Sequence, residues 1–212
     1  MLLLRHGEIA SHRGDVPVTE AGIVFAKEIG CRLGAREGRL RVVSGQTQRA
    51  RQTAQAIADG ARSAGVEVAG PLIAFAIRNP DIYVAGERVE LVSSAEDLAV
   101  QVDGLGQEKA AAVPFFQGFF AAPDRIGWWL RHPNPPGEDA ATVAHRVMNF
   151  AASLVDRPHA ELTVAVTHSP VLRACALELL GEDSGEPAWI AGLAVEIRPD
   201  RSVRVTLLPE AP

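Results

Sequence analysis

Along the 212 residues, short apolar runs alternate with longer stretches whose apolar positions recur every three or four residues. Short runs read as buried strands, and the wider spacing reads as one-sided helices. Leu2 to Arg5 predicts a first strand. Thr19 then offers an N-cap, followed by a helical stripe of Ala21, Phe25, Ile29 and Leu33. Leu40 to Val43 predicts the next strand, Thr47 to Ala64 a helix, and Val66 to Ala69 a short strand. Asp139 caps a further helix that turns Val143, Val147, Phe150 and Leu154 inward. Leu162 to Val166 is almost wholly apolar, as a central strand covered on both faces should be. Ser169-Pro170 opens a helix that Gly181 ends. Trp189 to Ile197 and Val203 to Leu208 predict two closing strands, with a hairpin at Pro199-Asp200-Arg201. The alternation gives an α/β fold: a three-layer α/β/α sandwich with a mainly parallel central sheet.

The middle departs from this rhythm. Leu98 to Leu130 holds Phe115-Phe116, Phe119-Phe120 and Trp128-Trp129, and Pro133, Pro135 and Pro136 fix an extended return. The stretch from about 72 to 135 is therefore expected to be a helical cap inserted into a single domain of residues 1–212. Its aromatics serve either as the cap's own core or as a wall of the substrate pocket.

Composition narrows the function. At 47% hydrophobic the chain can bury a sizeable core as one unit. A net charge of −5 supplies no broad basic surface, which argues against nucleic acid and anionic membranes as partners. No apolar run approaches the roughly 18 residues that span a bilayer. Met1-Leu2-Leu3-Leu4 is too short for a signal peptide, so a cytoplasmic location is expected. Cys31 and Cys175 lie in apolar helical patterns and read as buried structural thiols, and nothing has zinc-ligand spacing.

Three segments carry the chemistry. Arg5-His6-Gly7 leaves the first strand, Ser44 to Ala54 leaves the second with Arg49 in its helix, and Thr167-His168-Ser169 leaves the apolar strand before it. Parallel strands would bring these carboxyl ends to one edge, where open α/β sheets bind ligands. Arg5, His6, Arg49 and His168 could then converge on one anion beside the positive ends of helices.

In these residues the chain resembles the histidine phosphatase superfamily, also called the phosphoglycerate mutase-like family. The matching positions are Arg5-His6-Gly7-Glu8 with Asp15, Val18-Thr19-Glu20-Ala21-Gly22, Ser44 with Arg49-Ala50 and Gln52-Thr53-Ala54, Pro136-Gly137-Glu138-Asp139, and Thr167-His168-Ser169. The resemblance implies a phosphatase that hydrolyses a phosphomonoester through a phosphohistidine on His6. Arg5, Arg49 and a protonated His168 would hold the phosphoryl oxygens, with no metal and no cofactor. Inorganic phosphate would be the product and a phosphorylated small molecule the substrate.

The resemblance further implies substrate-side roles for Glu8, as a positioning carboxylate, and for Ser11, His12 and Arg13 in the loop over the pocket. Ser169 either donates a hydroxyl to the substrate or caps its helix. Arg51 is expected to face solvent, as are His132, His145 and His159. The family's general acid falls in the window Ala74 to Asp81, where Asn79 stands at the expected position. Asp81 is the first candidate, with a raised pKa expected of it. Glu87 and Glu90 follow, and a pocket without a dedicated acid is the third option. A mutase-type phosphoryl transferase and a catalytically weak phospholigand-binding or regulatory module stand as alternatives. An exposed aromatic cap would support a homodimer.

Overall fold

The computed structural model describes residues 1–11, 14–158 and 161–212. Apolar runs become the strands β1 (Leu2–Arg5), β2 (Arg39–Ser44), β3 (Glu67–Ile73) and, later, β6 (Leu162–Thr167). A short hairpin, β4 (Ile82–Val84) and β5 (Glu87–Val89), stands apart from the main sheet. The chain closes with β7 (Gly192–Ile197) and β8 (Val203–Leu208). The main sheet has the order β3-β2-β6-β1-β7-β8. Its first four strands are parallel, and β7 and β8 run antiparallel. This order sets β6 between β2 and β1, so three carboxyl ends lie side by side. The backbone amides of His6 and Gly45 bond to Thr167 O and Val166 O at 2.9 Å, extending the pairing just past the strand ends.

One face of the sheet carries α1 (Glu20–Arg36) and α2 (Gln48–Ser63), capped by the hydroxyls of Thr19 and Thr47. The buried stripe of α1 is Gly22, Ala26, Ile29, Gly30 and Leu33, one residue away from the expected Ala21 and Phe25. Small residues explain the shift. A Cβ on Gly30 would stand 2.1 Å from Ile57 O, so backbone meets backbone where the two helices cross. Leu4, Leu40, Val42, Val164 and Val166 complete this layer from the sheet.

The opposite face carries α7 (Ala140–Ser153), which Asp139 caps, and α8 (Ser169–Leu180), which ends at Gly181 with φ 81°. Here Leu3, Val43 and Ala165 share one apolar cluster with Val143, Val147, Leu172 and Cys175. Burial pushes the Cys175 thiol up to about 12, as suits an inert core residue. Cys31 is half-buried and donates to Gly60 O.

The same cluster takes in the inserted helices α3 (Ala95–Ala99), α4 (Gln107–Ala111), α5 (Pro114–Ala121) and α6 (Arg125–Leu130). Phe115, Phe116, Phe119 and Trp129 are buried. Phe120 and Trp128 are half-buried. His132 is half-buried, its ring 4.7 Å from that of Trp128, rather than on the surface, whereas His145 is exposed. His159 lies outside the described residues. No helix among the described residues is long and apolar enough to cross a membrane.

Two boundaries differ from expectation. β3 runs on to Ile73, pairing with Ser44 past an irregularity in register. Trp189 is outside β7, because Ile190 takes φ 62° and breaks the extended backbone before Gly192.

Candidate active site

The loop after β1 holds Arg5 and His6 in the interior, with 6% and 4% of their surfaces exposed. His6 Nδ1 lies 2.8 Å from Gly7 O. A carbonyl can only accept, so Nδ1 carries the ring proton and Nε2 keeps the lone pair. Gly7 N in turn donates to Thr53 Oγ1 at 2.8 Å, and that hydroxyl donates to Arg49 O. One turn of α2 is thereby tied to the residue after His6.

Arg5 is fixed by Pro187 O and by an ion pair with Glu186 at 2.6 Å, and its guanidinium lies 3.7 Å over the Trp189 ring. Glu186 also accepts the Ser169 hydroxyl at 2.5 Å. Ser169 does not cap α8; His168 occupies the N-cap position without a side-chain bond to the helix amides. Arg49 reaches Asp15 at 3.5 Å, and Asp15 accepts from Gln48 N, at the start of α2, through both of its oxygens.

The ring centroids of His6 and His168 are 5.4 Å apart. His168 Nε2 is 2.8 Å from Thr47 Oγ1. Burial first, then the charges of Arg49 and Arg5, push the His168 pKa well below the ordinary histidine value. His168 is therefore neutral in the open pocket, not protonated as expected from the sequence. Burial likewise lowers Arg5 and Arg49, against the opposing charges of Glu186 and Asp15.

These four side chains line a cavity of about 600 Å³ with Asn79, Phe119, Asp124 and Arg125, all four from the inserted segment. Phe119 thus serves both as core and as pocket wall. Among the described residues, five buried side-chain atoms lack a hydrogen-bond partner: Arg5 Nε, Arg49 Nε, Asn79 Oδ1, Arg125 Nε and His168 Nδ1. All five residues line this cavity. Buried polar atoms are rarely left unpaired, so their gathering in one place marks a site shaped for a polar ligand.

Asp81 is not brought to this group. Arg78 and Arg88 both bond its carboxylate, and these arginines hold it down to about 2 instead of raising it. The Pro136-Gly137-Glu138-Asp139 segment fixes that orientation. Glu138 accepts from Asp81 N and from Arg146, while Gly137, at φ 149°, presses against Asp81 O where a Cβ would stand 2.0 Å away. Neither Glu87 nor Glu90 lines the cavity. Glu90 sits behind Asn79, accepting from its amide at 2.8 Å and from Arg88 at 3.0 Å.

The remaining expected contacts are mixed. Glu8 is exposed and accepts the Thr19 hydroxyl, which ties it to the start of α1 rather than to the cavity. Ser11 is half-buried and does not line the cavity. His12 and Arg13 lie outside the described residues. Arg51 is exposed. Sequence reasoning assigned no role to Thr47, Thr53, Glu186, Trp189 or Arg125. A hydroxyl at the N-cap of α2 was legible for Thr47; Glu186 and Trp189 sit in a loop whose path only the folded chain shows.

Comparison with known proteins agrees with this geometry. Among solved structures, YhfR of Bacillus stearothermophilus superimposes with a TM-score of 0.63 at 19% identity, over 99% of this chain and 96% of that one. A mycobacterial glucosyl-3-phosphoglycerate phosphatase complexed with VO3 gives 0.59 at 21%, over 97% and 95%. A phosphoserine phosphatase mutant from Entamoeba histolytica in complex with phosphoserine gives 0.58 at 15%, over 98% and 94%. These likenesses establish the fold. No curated protein sequence matches. The profile of the histidine phosphatase superfamily (branch 1) matches residues 1–70 and 120–195, which include all three strand-end segments. The chain belongs to the histidine phosphatase superfamily.

Proposed function

We propose that this protein hydrolyses phosphomonoesters through a phosphohistidine on His6. The Nε2 lone pair attacks phosphorus, the P–O bond to the leaving oxygen breaks, and a P–N bond forms. Water then attacks the same phosphorus, the P–N bond returns its electrons to Nε2, and inorganic phosphate leaves. The supporting observation is that Arg5, Arg49 and His168, each with a buried unpartnered nitrogen, line one cavity with His6. With the Thr47 hydroxyl donating to Nε2, His168 keeps its proton on Nδ1 and can donate to a phosphoryl oxygen.

A phosphomonoester brings about −1.5 to −2 charge near neutral pH. Two fixed guanidiniums meet that charge, and donors already in place need no reorganisation as it spreads in the transition state. On this reading the reaction is independent of metal ions and of cofactors. Ser169 and Glu186 brace Arg5 rather than touch the phosphoryl group. Glu8 and Ser11 stay outside it.

Asp81 takes no part in proton transfer on this account. The carboxylates that line the cavity, Asp124 and Glu186, are themselves ion-paired to arginines. The leaving oxygen therefore draws its proton from solvent, and esters of acidic alcohols and phenols react fastest. The phosphatase names of the structural neighbours favour hydrolysis over a mutase reaction. A cytoplasmic setting is part of the same proposal. The test is release of phosphate from p-nitrophenyl phosphate in excess EDTA. Turnover by the wild type and none by His6→Ala is expected; turnover that EDTA abolishes contradicts the metal-independent reaction.

A further inference from the structure

Arg125 is the cavity's unclaimed cation. Its Nε is buried without a partner, and it forms no ion pair among the described residues. Neighbouring charges do not need it. Arg173 bonds Asp124 and Asp183 at 2.6 Å each, and Arg131 stands 3.9 Å from Asp183, so two guanidiniums already face two carboxylates. Asp124 is held at about 2 by Arg173 and by Gly127 N, which keeps its carboxylate charged and engaged by those partners. Arg5 is likewise matched by Glu186, and Arg49 by Asp15. Arg125 thus lines the cavity with no carboxylate partner among the described residues.

A partly buried guanidinium with a dry, unused N–H is costly unless a ligand supplies the acceptor. Its planar fork suits a carboxylate or a second phosphate in two-point contact. The phosphoryl group itself is already met by Arg5, Arg49 and His168. The part of the substrate that Arg125 meets therefore belongs to the leaving group, and a cavity of about 600 Å³ has room for more than phosphate. Ile126, Phe119, Leu91 and Val92 line the same space and offer apolar cover for a short carbon chain between the two anions.

We infer that the natural substrate is a phosphomonoester whose alcohol carries a second anionic group, a carboxylate or another phosphate, and that Arg125 binds it. This rests on the phosphatase reading above. The experiment compares n-alkyl phosphates with ω-carboxyalkyl phosphates and alkanediol bisphosphates of two to five carbons. The wild type should show kcat/KM about tenfold or more higher for one anionic series at a preferred chain length. In Arg125→Ala that ratio should collapse towards one, and Arg125→Lys should restore part of it.

Equal kcat/KM for neutral and anionic members, with all of them hydrolysed, overturns the inference and leaves the phosphatase reading standing. A preference that survives in Arg125→Ala, with the fold intact by circular dichroism, also overturns it. Failure to hydrolyse any member, including p-nitrophenyl phosphate, defeats the phosphatase reading instead. In that case displacement of bound phosphate by alkyl and carboxyalkyl phosphonates, read by calorimetry, still measures the Arg125 preference. Equal displacement by both overturns it.

Discussion

Gly7 and Thr53 are joined by a 2.8 Å hydrogen bond that holds the turn after the first strand against the second helix. The Thr53 hydroxyl relays the contact to Arg49 O at 2.8 Å, so His6 and Arg49 share one rigid support. Thr53 is wholly buried, and among the described residues it is the acceptor of Gly7 N. Thr53→Val should cost about 1–3 kcal/mol of stability, because a buried amide loses its acceptor. It should also lower kcat more than it raises KM, by misplacing the nucleophile against the guanidinium. Thr53→Ser should recover most of both losses in urea unfolding and steady-state kinetics.

His168 should remain neutral across the ordinary histidine range in the free protein. Its folded pKa lies below that of the unfolded chain, so its contribution to stability is fully present above about pH 6.5. That contribution is lost as the pH falls through the folded value. Two-dimensional NMR of the ring should show no titration of His168 near pH 6.5 without ligand, and an upward shift when vanadate or phosphate binds. A pKa at or above 6.5 in the empty pocket contradicts this electrostatic picture.

Asp81 should matter to folding and not to the leaving group. Asp81→Asn removes an acceptor shared by Arg78 and Arg88 and should destabilise the protein by about 1–3 kcal/mol. The wild-type advantage should persist at pH 4 and disappear as the pH falls through about 2, where the carboxylate protonates. The ratio of turnover on aryl and alkyl phosphates should not change. A loss confined to alkyl phosphates would return Asp81 to the chemistry.

Much of the scaffold was legible because its signals are local. An apolar run before Arg5, another before Ser44 and a third before Thr167 announce the strands, and Thr19 and Asp139 announce their helices. The α1 stripe was misplaced because glycine contributes nothing to an apolar pattern. Only the approach of Ile57 to Gly30, of Ala61 to Gly34 and of Val18 and Glu8 to Gly22 shows that these glycines lie on the buried face. Asp81 drew attention through its distance along the chain from Arg49. Its fate was decided by Arg78, Arg88 and Glu138, whose meeting depends on the path of the inserted segment. Trp189 looked like strand because aromatic residues favour strands, and its stacking on Arg5 is a long-range fact.

The close crossing of the first two helices gives a further prediction. Gly30→Ala would drive a methyl group into the Ile57 carbonyl, so the helices must separate. The cost should be about 1–3 kcal/mol or more in chemical denaturation. Because α2 carries Arg49, affinity for vanadate should weaken as well. Unchanged stability would show that the crossing is looser than described.

The central claim concerns a bond between His6 Nε2 and phosphorus, and it can be observed directly. Protein mixed rapidly with p-nitrophenyl phosphate, denatured in alkali and digested should yield the peptide containing His6 with one added phosphoryl group. Fragmentation should place that group on the ring, acid should remove it, and His6→Ala should never acquire it. A wild type that turns over the ester but yields no phosphorylated His6, or that carries the label on another residue, contradicts the account.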